Sequence, residues 1–211
     1  MDSPNNISVS HGALRLTARK ESSPIQCGLA MTPYTSGMVT TDGHFSQAYG
    51  RFEVRAKLPP VTASGLQETL WLWPIDDTRL GPFPASGEVD FSEFYSQNSS
   101  VDIPHIHYDY EPSTTSAATH TNVVTKHCPI DISRYNDYAV TWSRGRFKVS
   151  VNRKTCLIDK YVPSNVSSPA PFDQPFFIAL TQALGVGADS FHPWSTPLPA
   201  TTSIGYVRVW K

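Results

Sequence analysis

Hydrophobic and polar residues alternate along much of the chain, which is the pattern of half-buried β-strands. In the segment YGRFEVRAKLP, Phe52, Val54 and Ala56 point one way, while the charged residues between them point the other. Leu14 and Leu16 alternate with polar neighbours in the same manner. The pattern predicts further strands at SGMVTT, ETLWLW, GEVDFSEFY, IPHIHYDY, YAVTWS, RFKVSVN, PFFIALTQAL and IGYVRVW.

Turn-forming residues separate these strands. Arg144-Gly145 and Asn152-Arg153 are expected to close two consecutive hairpins, and most of the 18 prolines fall between strand candidates. No segment shows a capped helical stripe, and no linker or shift in composition divides the sequence. We therefore predict an all-β sandwich or jelly roll of two antiparallel sheets, in a single domain over residues 1–211. One face of such a sandwich can curve into a groove that holds an extended ligand.

The chain carries little charge for its length. Charged residues make up 17% and the formal net charge is −1, so no general attraction to nucleic acid or to an anionic membrane is expected. The sequence has no apolar run long enough to span a bilayer. This composition suits a secreted β-domain, which we expect to act as a monomer. The polar N-terminus MDSPNNISVS does not have the pattern of an export signal.

Three cysteines cannot all pair within one chain. Cys128 and Cys156 flank a predicted pair of strands and are the better candidates for a disulfide. Three reduced thiols, with Cys27 as the third, are the alternative. Glycosylation sequons, which matter only in a host that glycosylates proteins, occur at Asn6, Asn98 and Asn165.

One predicted strand, GEVDFSEF, is unusual because it contains three carboxylates. Acidic residues form strands poorly, and like charges this close repel each other. Strand alternation puts Glu88 and Asp90 on one face but Glu93 on the other. That other face carries Val89 and Phe91 and is predicted to be core, where an unpaired charge is costly. A β-bulge between Asp90 and Glu93 adds one residue and returns all three acids to one face, so we predict that bulge.

Three acids on one face have a chemical use. With the bulge, Glu88 and Glu93 lie roughly 13 Å apart along the backbone, and their side chains can close the carboxyl gap to about 5–6 Å, as in a retaining glycosidase. Carboxyls so close cannot all ionise freely, so at least one pKa must rise, which supplies both an acid and a nucleophile. The alternatives are a structural calcium site and a solvated strand face. Trp71 and Trp73 share a face of the preceding strand, where indoles either stack on sugar rings or pack in the core.

Motifs along nearly the whole chain resemble glycoside hydrolase family 16, the family of laminarinases and lichenases. They occur in the family's order: GALRLTA, YTSGMVTT, YGRFEVRAKLP, TLWLWP, SGEVDFSEF, YAVTWS, FKVSV, PFFIAL and YVRVW. The family signature is Glu-x-Asp-x-x-Glu in a bulged branch or Glu-x-Asp-x-Glu in a regular-strand branch, and this chain has the bulged form. The resemblance implies a β-jelly roll with a concave substrate cleft, and cleavage with retention of configuration by double displacement.

The resemblance also implies roles for individual residues. Glu88 matches the nucleophile, Glu93 matches the general acid/base, and Asp90 matches the residue that orients the nucleophile. His107 matches a histidine near the cleft floor, and a buried, hydrogen-bonded histidine is the alternative reading of it. His105 and His107 together do not indicate zinc, because the remaining ligands are not apparent.

Other positions bear on sugar binding. Trp71 matches the family's platform tryptophan, and Trp73 and Trp142 are further candidates for the cleft. Met38 stands where the family often has Arg, so a sugar contact is lost or replaced there. The family's LNxAVGG segment reads LTQALGVG here, and we expect Gln182 to take over a hydrogen bond to sugar.

No cofactor is expected for this reaction, and no metal ligand is assigned. The structural calcium that the family commonly holds uses an Asp just before the last strand. This chain has Gly205 at that position, so the calcium lacks a ligand that it uses elsewhere in the family.

The sequence therefore favours an endo-acting, retaining β-glucanase that cuts β-1,3 or mixed β-1,3/1,4 glucan. The bulged motif favours the β-1,3 linkage, because lichenases of the family usually have the regular-strand form. One alternative is a glucan-binding protein without catalysis, although such relatives usually lose one of the three acids. Further alternatives are a galactan hydrolase acting on agarose or carrageenan, and a transglycosylase.

Overall fold

Strands dominate the computed structural model, which describes residues 1–108, 121–163 and 166–211. The strands in these ranges are β1 (Ile7–Ser10), β2 (Ala13–Cys27), β3 (Ala30–Thr35), β4 (Gly37–Thr40), β5 (Gly50–Lys57), β6 (Leu66–Pro74), β7 (Glu88–Tyr95), β8 (Val101–Asp102), β9 (His105–His107), β10 (Thr121–Val124), β11 (Cys128–Pro129), β12 (Asn136–Ser143), β13 (Arg146–Val151), β14 (Lys154–Asp159), β15 (Phe176–Leu184) and β16 (Ala200–Trp210). Short 3₁₀ turns include Pro4–Asn6 and Ser96–Asn98. Among the described residues, no helix has the length and apolar character needed to cross a membrane.

Two antiparallel sheets form the body of the protein. The larger has eight strands in the order β1-β2-β16-β5-β12-β13-β14, with β3 paired to β2, and the second has six in the order β10-β9-β7-β6-β15-β4. Buried apolar side chains from both sheets meet in a shared core. The predicted β-jelly-roll sandwich is confirmed. Two predicted features, the end of the IPHIHYDY strand at residues 109–110 and the sequon at Asn165, lie outside the described residues.

The alternation in YGRFEVRAKLP is reproduced in β5. Phe52, Val54 and Ala56 are buried, and the strand lies between β12 and β16 in the larger sheet. A strand with neighbours on both sides and one face on the core keeps strict alternation, because a shift of one residue would expose every apolar side chain.

The two predicted hairpins also form. Residues 144–145 connect β12 to β13, and residues 152–153 connect β13 to β14. Asn152 and Arg153 have φ angles of 50° and 66°, the left-handed conformation that a two-residue type I′ turn requires at both positions. The Asn152 side-chain oxygen accepts a hydrogen bond from the backbone N–H of Asp137 at 3.0 Å, which ties the turn to β12.

Trp142 lies in the core and does not reach the cleft, so the prediction of a cleft role was wrong. It is 1% exposed, and its indole packs at ring-centroid distances of 5.1–6.4 Å against Tyr49, Phe52, Phe147, Phe172 and Phe176. The physical reason is its strand: β12 belongs to the larger sheet, and Trp142 shares the inward face with Tyr138 and Val140.

A disulfide joins Cys128 of β11 to Cys156 of β14, with 5.2 Å between the Cα atoms. The preferred pairing from the sequence is thus confirmed over three reduced thiols. Cys27 is a half-buried free thiol at the end of β2. The bond ties the two-stranded pair β8–β11 to the edge strand of the larger sheet.

Replacing Trp142 with Ala is expected to lower the free energy of unfolding by about 3–5 kcal/mol, because it removes the central side chain of the aromatic cluster and leaves a cavity. Urea unfolding followed by intrinsic fluorescence measures this change. Trp194, which is 98% exposed, is the matched control, and Trp194→Ala should change stability by less than about 0.5 kcal/mol. Equal effects of the two substitutions would contradict the assignment of Trp142 to the core.

Candidate active site

A β-bulge interrupts the pairing of β6 with β7. Leu70 lies opposite Ser92, but the next residue, Trp71, lies opposite Asp90, so Phe91 is the extra residue. The predicted bulge between Asp90 and Glu93 is therefore confirmed. Phe91 and Ser92 are both buried on the core side, and this pair of inward residues shifts the alternation of the rest of β7 by one position.

Because of the bulge, the apolar and the acidic side chains of β7 lie on opposite faces of the sheet. Val89, Phe91 and Phe94 are fully buried in the core. Glu88, Asp90 and Glu93 line the same cleft on the other face of the sheet. All three acids thus lie on one face, as the sequence argument required.

Asp102, on β8, supports the bulge from the core side. Its Oδ1 accepts a hydrogen bond from the Ser92 hydroxyl at 2.7 Å, and its carboxyl group is also hydrogen-bonded to the backbone of Glu93. The neighbouring N–H of Ile103 donates to the Glu93 carbonyl oxygen at 2.8 Å. A bulge breaks the regular ladder, and these contacts satisfy backbone groups that the ladder does not.

Neighbouring strands complete a shallow cleft of about 280 Å³ around the acids. Alternate residues of adjacent strands share a sheet face, so β6, β9 and β15 each contribute side chains to it. Besides the three acids, the cleft is lined by Gln67, Thr69, Trp71, His107, Thr181 and Ala183.

Glu93 is held at both carboxylate oxygens. The Gln67 side-chain amide donates to Oε1 at 2.6 Å. His105 Nδ1 lies 2.5 Å from Oε2, an ion-pair contact that does not have the geometry of a hydrogen bond. Burial acts to raise the pKa of Glu93, but the His105 interactions and the hydrogen bonds from Tyr95 and Gln67 outweigh it, so the pKa lies below its ordinary value.

Asp90 and Glu88 are shifted the other way. Burial, followed by the charge of Glu93, raises the pKa of Asp90 well above its ordinary value. Burial, followed by the charge of Asp90, raises the pKa of Glu88 to about 9. His107 Nε2 lies 3.1 Å from Asp90 Oδ2, and burial lowers the pKa of that histidine.

These opposite shifts distribute the protons unequally within the cluster. Glu88 and Asp90 therefore hold a proton more tightly than Glu93 does. Adjacent carboxyls that titrate far apart can act as acid and base in the same site.

An aromatic wall borders the acids. The Trp71 indole N–H donates to the Thr181 hydroxyl at 3.0 Å, which fixes its orientation beside the cleft. The Trp73 ring lies edge-on to Trp71 at 5.6 Å and stacks on Phe83 at 5.9 Å with 10° between the planes. Trp71 and Trp73 are both partly exposed, so the wall can receive an apolar ring face.

Gln182 does not reach the cleft, and the prediction of a sugar contact was wrong. It is completely buried between the sheets, donates to Glu68 Oε1 at 2.5 Å and accepts from the Thr202 hydroxyl at 2.8 Å. Its neighbours Thr181 and Ala183 line the cleft, so alternation on β15 sends Gln182 to the core.

Sequence reasoning missed Gln67 and His105. The signal for His105 was present in the motif HIH, because residues two apart on a strand share a face. The rings of His105 and His107 are parallel within 11° at 5.7 Å. Gln67 likewise shares the face of Thr69 and Trp71 on β6.

Glu88, Asp90 and His107 present ligand atoms within 4.8 Å of one another, a separation that one divalent cation could span. Burial raises the pKa of both acids, so protons compete with a cation for these oxygens. The Asp90–His107 contact and the crowding of the acids already explain why these atoms lie so close together. We therefore assign no metal to the cluster.

A second cleft of about 460 Å³ adjoins the acid cleft and shares Gln67 with it, and His105 lines this second cleft. Side chains from the end of β7, from the segment after β10 and from the loop after β15 form the rest of its wall. They include Tyr95, Gln97, Asn98, Lys126, Val186 and Asp189. The acids therefore open onto a wider surface on the Glu93 side.

Comparison with known proteins identifies this combination of fold and acid strand with a class of carbohydrate-active enzymes. A family model described as glycosyl hydrolases family 16 matches residues 1–185. The chain belongs to this family.

Curated relatives include a keratan-sulfate endo-1,4-beta-galactosidase from Sphingobacterium multivorum, 31% identical over 84% of this chain and 40% of the relative. A glucan endo-1,3-beta-glucosidase A1 from Niallia circulans is 30% identical over 100% of this chain and 31% of its own length. The chain thus spans well under half the length of these relatives. Among solved structures, the laminarinase catalytic domain from Thermotoga maritima MSB8 has the same fold, with a TM-score of 0.81 and 24% identity, covering 100% of this chain and 82% of that one.

Replacing Glu88 with Gln should stabilise the protein at high pH. In the unfolded chain Glu88 ionises near its ordinary pKa of 4.5, whereas in the folded chain it stays protonated up to about 9. The folded state therefore binds more protons between these values, and stability falls as pH rises through this window. Gln stays neutral, so its advantage over Glu should grow to about 2–5 kcal/mol by pH 8.5.

The measurement is urea unfolding of both proteins from pH 4 to pH 8.5. Near pH 4 the two side chains are both neutral, so the two free energies of unfolding should nearly coincide there. A difference that stays constant across the range would contradict a raised pKa for Glu88.

Proposed function

We propose that this chain is an endo-acting, retaining β-glucanase that hydrolyses β-1,3 or mixed β-1,3/1,4 glucan by double displacement. The observation that carries the proposal is the bulged strand β7, with Glu88, Asp90 and Glu93 on one face of a cleft bordered by Trp71. Membership of glycosyl hydrolases family 16 supports it.

In the proposed first step, a Glu88 carboxylate oxygen attacks the anomeric carbon and forms a glycosyl ester. The bond to the glycosidic oxygen breaks, and that oxygen takes the proton of Glu93 as the leaving sugar departs. In the second step Glu93 removes a proton from water, and the water oxygen displaces Glu88 from the anomeric carbon. Two inversions at the same carbon retain its configuration.

The proposed cycle requires a proton to move between the acids of the cluster. The attacking state needs charge on Glu88 and a proton on Glu93, and Asp90 can keep the other proton and share it with Glu88. The charge on Glu88 and the proton on Glu93 in that state are the reverse of what their pKa shifts favour before substrate binds. The contacts from Gln67 and His105 suit the carboxylate that Glu93 becomes after it has donated its proton.

A neutral glucan is the substrate that the cleft chemistry favours. No lysine or arginine is among the described residues that line the acid cleft, whereas a sulfated polymer calls for basic partners. The Trp71 and Trp73 rings offer faces on which sugar rings stack. The similarity to a glucan endo-1,3-beta-glucosidase supports the same substrate class.

Hydrolysis of a galactan is the second candidate. The observation in its favour is the 31% identity to a keratan-sulfate endo-1,4-beta-galactosidase. Lys126 in the adjoining cleft gives a sulfated chain one cationic contact there. Catalysis by the same three acids applies to both candidates.

We further propose that the chain works as a monomer outside the cell. Its polymeric substrate is extracellular, and the Cys128–Cys156 disulfide is of the kind that oxidising compartments maintain.

The test is incubation of the purified protein with laminarin, mixed-linkage glucan, agarose, κ-carrageenan and keratan sulfate, followed by measurement of reducing ends and product linkage. We expect oligosaccharides from laminarin or the mixed-linkage glucan, and nuclear magnetic resonance should detect the β-anomer first. Glu88→Gln should lower kcat by about a thousandfold or more while the circular dichroism spectrum is unchanged. Turnover by Glu88→Gln at the wild-type rate, or an α-anomer as first product, would contradict the mechanism.

Replacing Trp71 with Ala should raise KM for the polysaccharide about 5- to 30-fold, because a stacking surface worth about 1–2 kcal/mol is lost beside the acids. Steady-state kinetics on the preferred glucan measures this effect. Trp210→Ala is the control, because Trp210 lies on β16 in the other sheet and is 44% exposed. Unchanged KM in Trp71→Ala would remove Trp71 from the substrate site.

A further inference from the structure

We propose that His105 is a positioning residue for the general acid/base, holding Glu93 Oε2 while Gln67 holds Oε1. The inference rests on the proposed function, because it assigns His105 a task only if Glu93 transfers protons. The proposal gives the two histidines of the HIH motif different roles, because His107 contacts Asp90 whereas His105 contacts Glu93.

The side chains of His105 and Glu93 are both confined by their surroundings. His105 Nδ1 lies 2.5 Å from Glu93 Oε2, and the two side chains are only 17% and 11% exposed. On its other side His105 stacks against His107, and its strand pairs with β7 at Asp90. The amide hydrogen bond at Oε1 and the close imidazole contact at Oε2 restrict rotation of the carboxylate, because rotation would break one or both of them.

Proton transfer requires Glu93 to alternate between acid and carboxylate. The proton that leaves Glu93 goes to the glycosidic oxygen, and water returns one in the second step. His105 supplies no net proton; its contact keeps the carboxylate in one orientation and favours that form. Loss of His105 should therefore weaken acid assistance to the leaving group more than it weakens substrate binding.

Other ionisable groups surround the pair and remain in place in every variant below. Glu88, Asp90 and Tyr95 face Glu93 from its own strand, and Asp102 and His107 act on it from β8 and β9. Lys126 and Asp189 face His105 from the adjoining cleft. Because these groups are unchanged in the His105 variants, a change in pH dependence can be attributed to the loss of His105.

The test compares His105→Ala with His105→Asn, because the Asn amide nitrogen can occupy the place of Nδ1 and the Ala methyl cannot. We expect kcat/KM for an unactivated laminari-oligosaccharide to fall about 10- to 100-fold in His105→Ala, as for loss of a close polar contact to a charged group. His105→Asn should recover most of this loss. The alkaline limb of kcat/KM should move to higher pH in His105→Ala, because the carboxylate form of Glu93 loses its contact with the imidazole.

A second substrate distinguishes positioning of the acid from general damage to the site. A 2,4-dinitrophenyl β-laminaribioside has a leaving group that needs no protonation, so its kcat/KM should fall less than about threefold in His105→Ala. His44→Ala, an exposed loop histidine, is the control and should match the wild type on both substrates. If His105→Ala does not fold, His105→Gln, whose amide cannot take the Nδ1 position, should show the same selective loss.

Equal losses on the two substrates, no loss on either, or failure of His105→Asn to recover activity would each overturn the proposal. Absence of turnover by the wild type on all five polysaccharides would instead overturn the proposed function. The two failures are therefore distinguishable.

Discussion

Side chains on a β-strand alternate between its two faces, and β7 departs from that rule once, at Phe91 and Ser92. Without the departure Glu93 would enter the apolar core, where an unpaired carboxylate is strongly unfavourable. With it, the core receives the aromatic and aliphatic side chains of β7, and the cleft receives all its acids. Asp102 and Ser92 stabilise the irregular backbone from behind. The candidate site depends on this one extra residue.

The bulge brings three carboxyl groups close together, and their pKa values depend on this proximity. Burial makes each charge costly, so the acids cannot ionise independently, and their neighbours decide which one is charged. Glu93 has amide and imidazole partners, whereas Glu88 has mainly other acids beside it, and their pKa values move in opposite directions. A proton can pass between neighbouring carboxyls of the cluster. A retaining glycosidase needs this property, because the same carboxyl must be an acid in one step and a base in the next.

Local sequence rules predicted the strands, the two hairpins and the bulge, because each depends on residues close together in the chain. Motif position was a poorer guide than strand alternation to the face on which a side chain lies. Trp142 and Gln182 were assigned to the cleft by motif position, yet their strands turn them inward. His105 and Gln67 were missed because their common partner, Glu93, lies on a different strand from either. Cross-strand contacts, which a single sequence does not encode locally, explain the two missed residues.

The central claim is that the bulge presents Glu88 as the nucleophile and Glu93 as its acid/base partner. The most direct measurement is mass spectrometry of peptides after the protein has reacted with a 2-deoxy-2-fluoro laminaribioside bearing an activated leaving group, which slows breakdown of the glycosyl ester. The account predicts a single glycosyl adduct, on Glu88. An adduct on Glu93 or Asp90, or no adduct from a protein that turns over glucan, would contradict it.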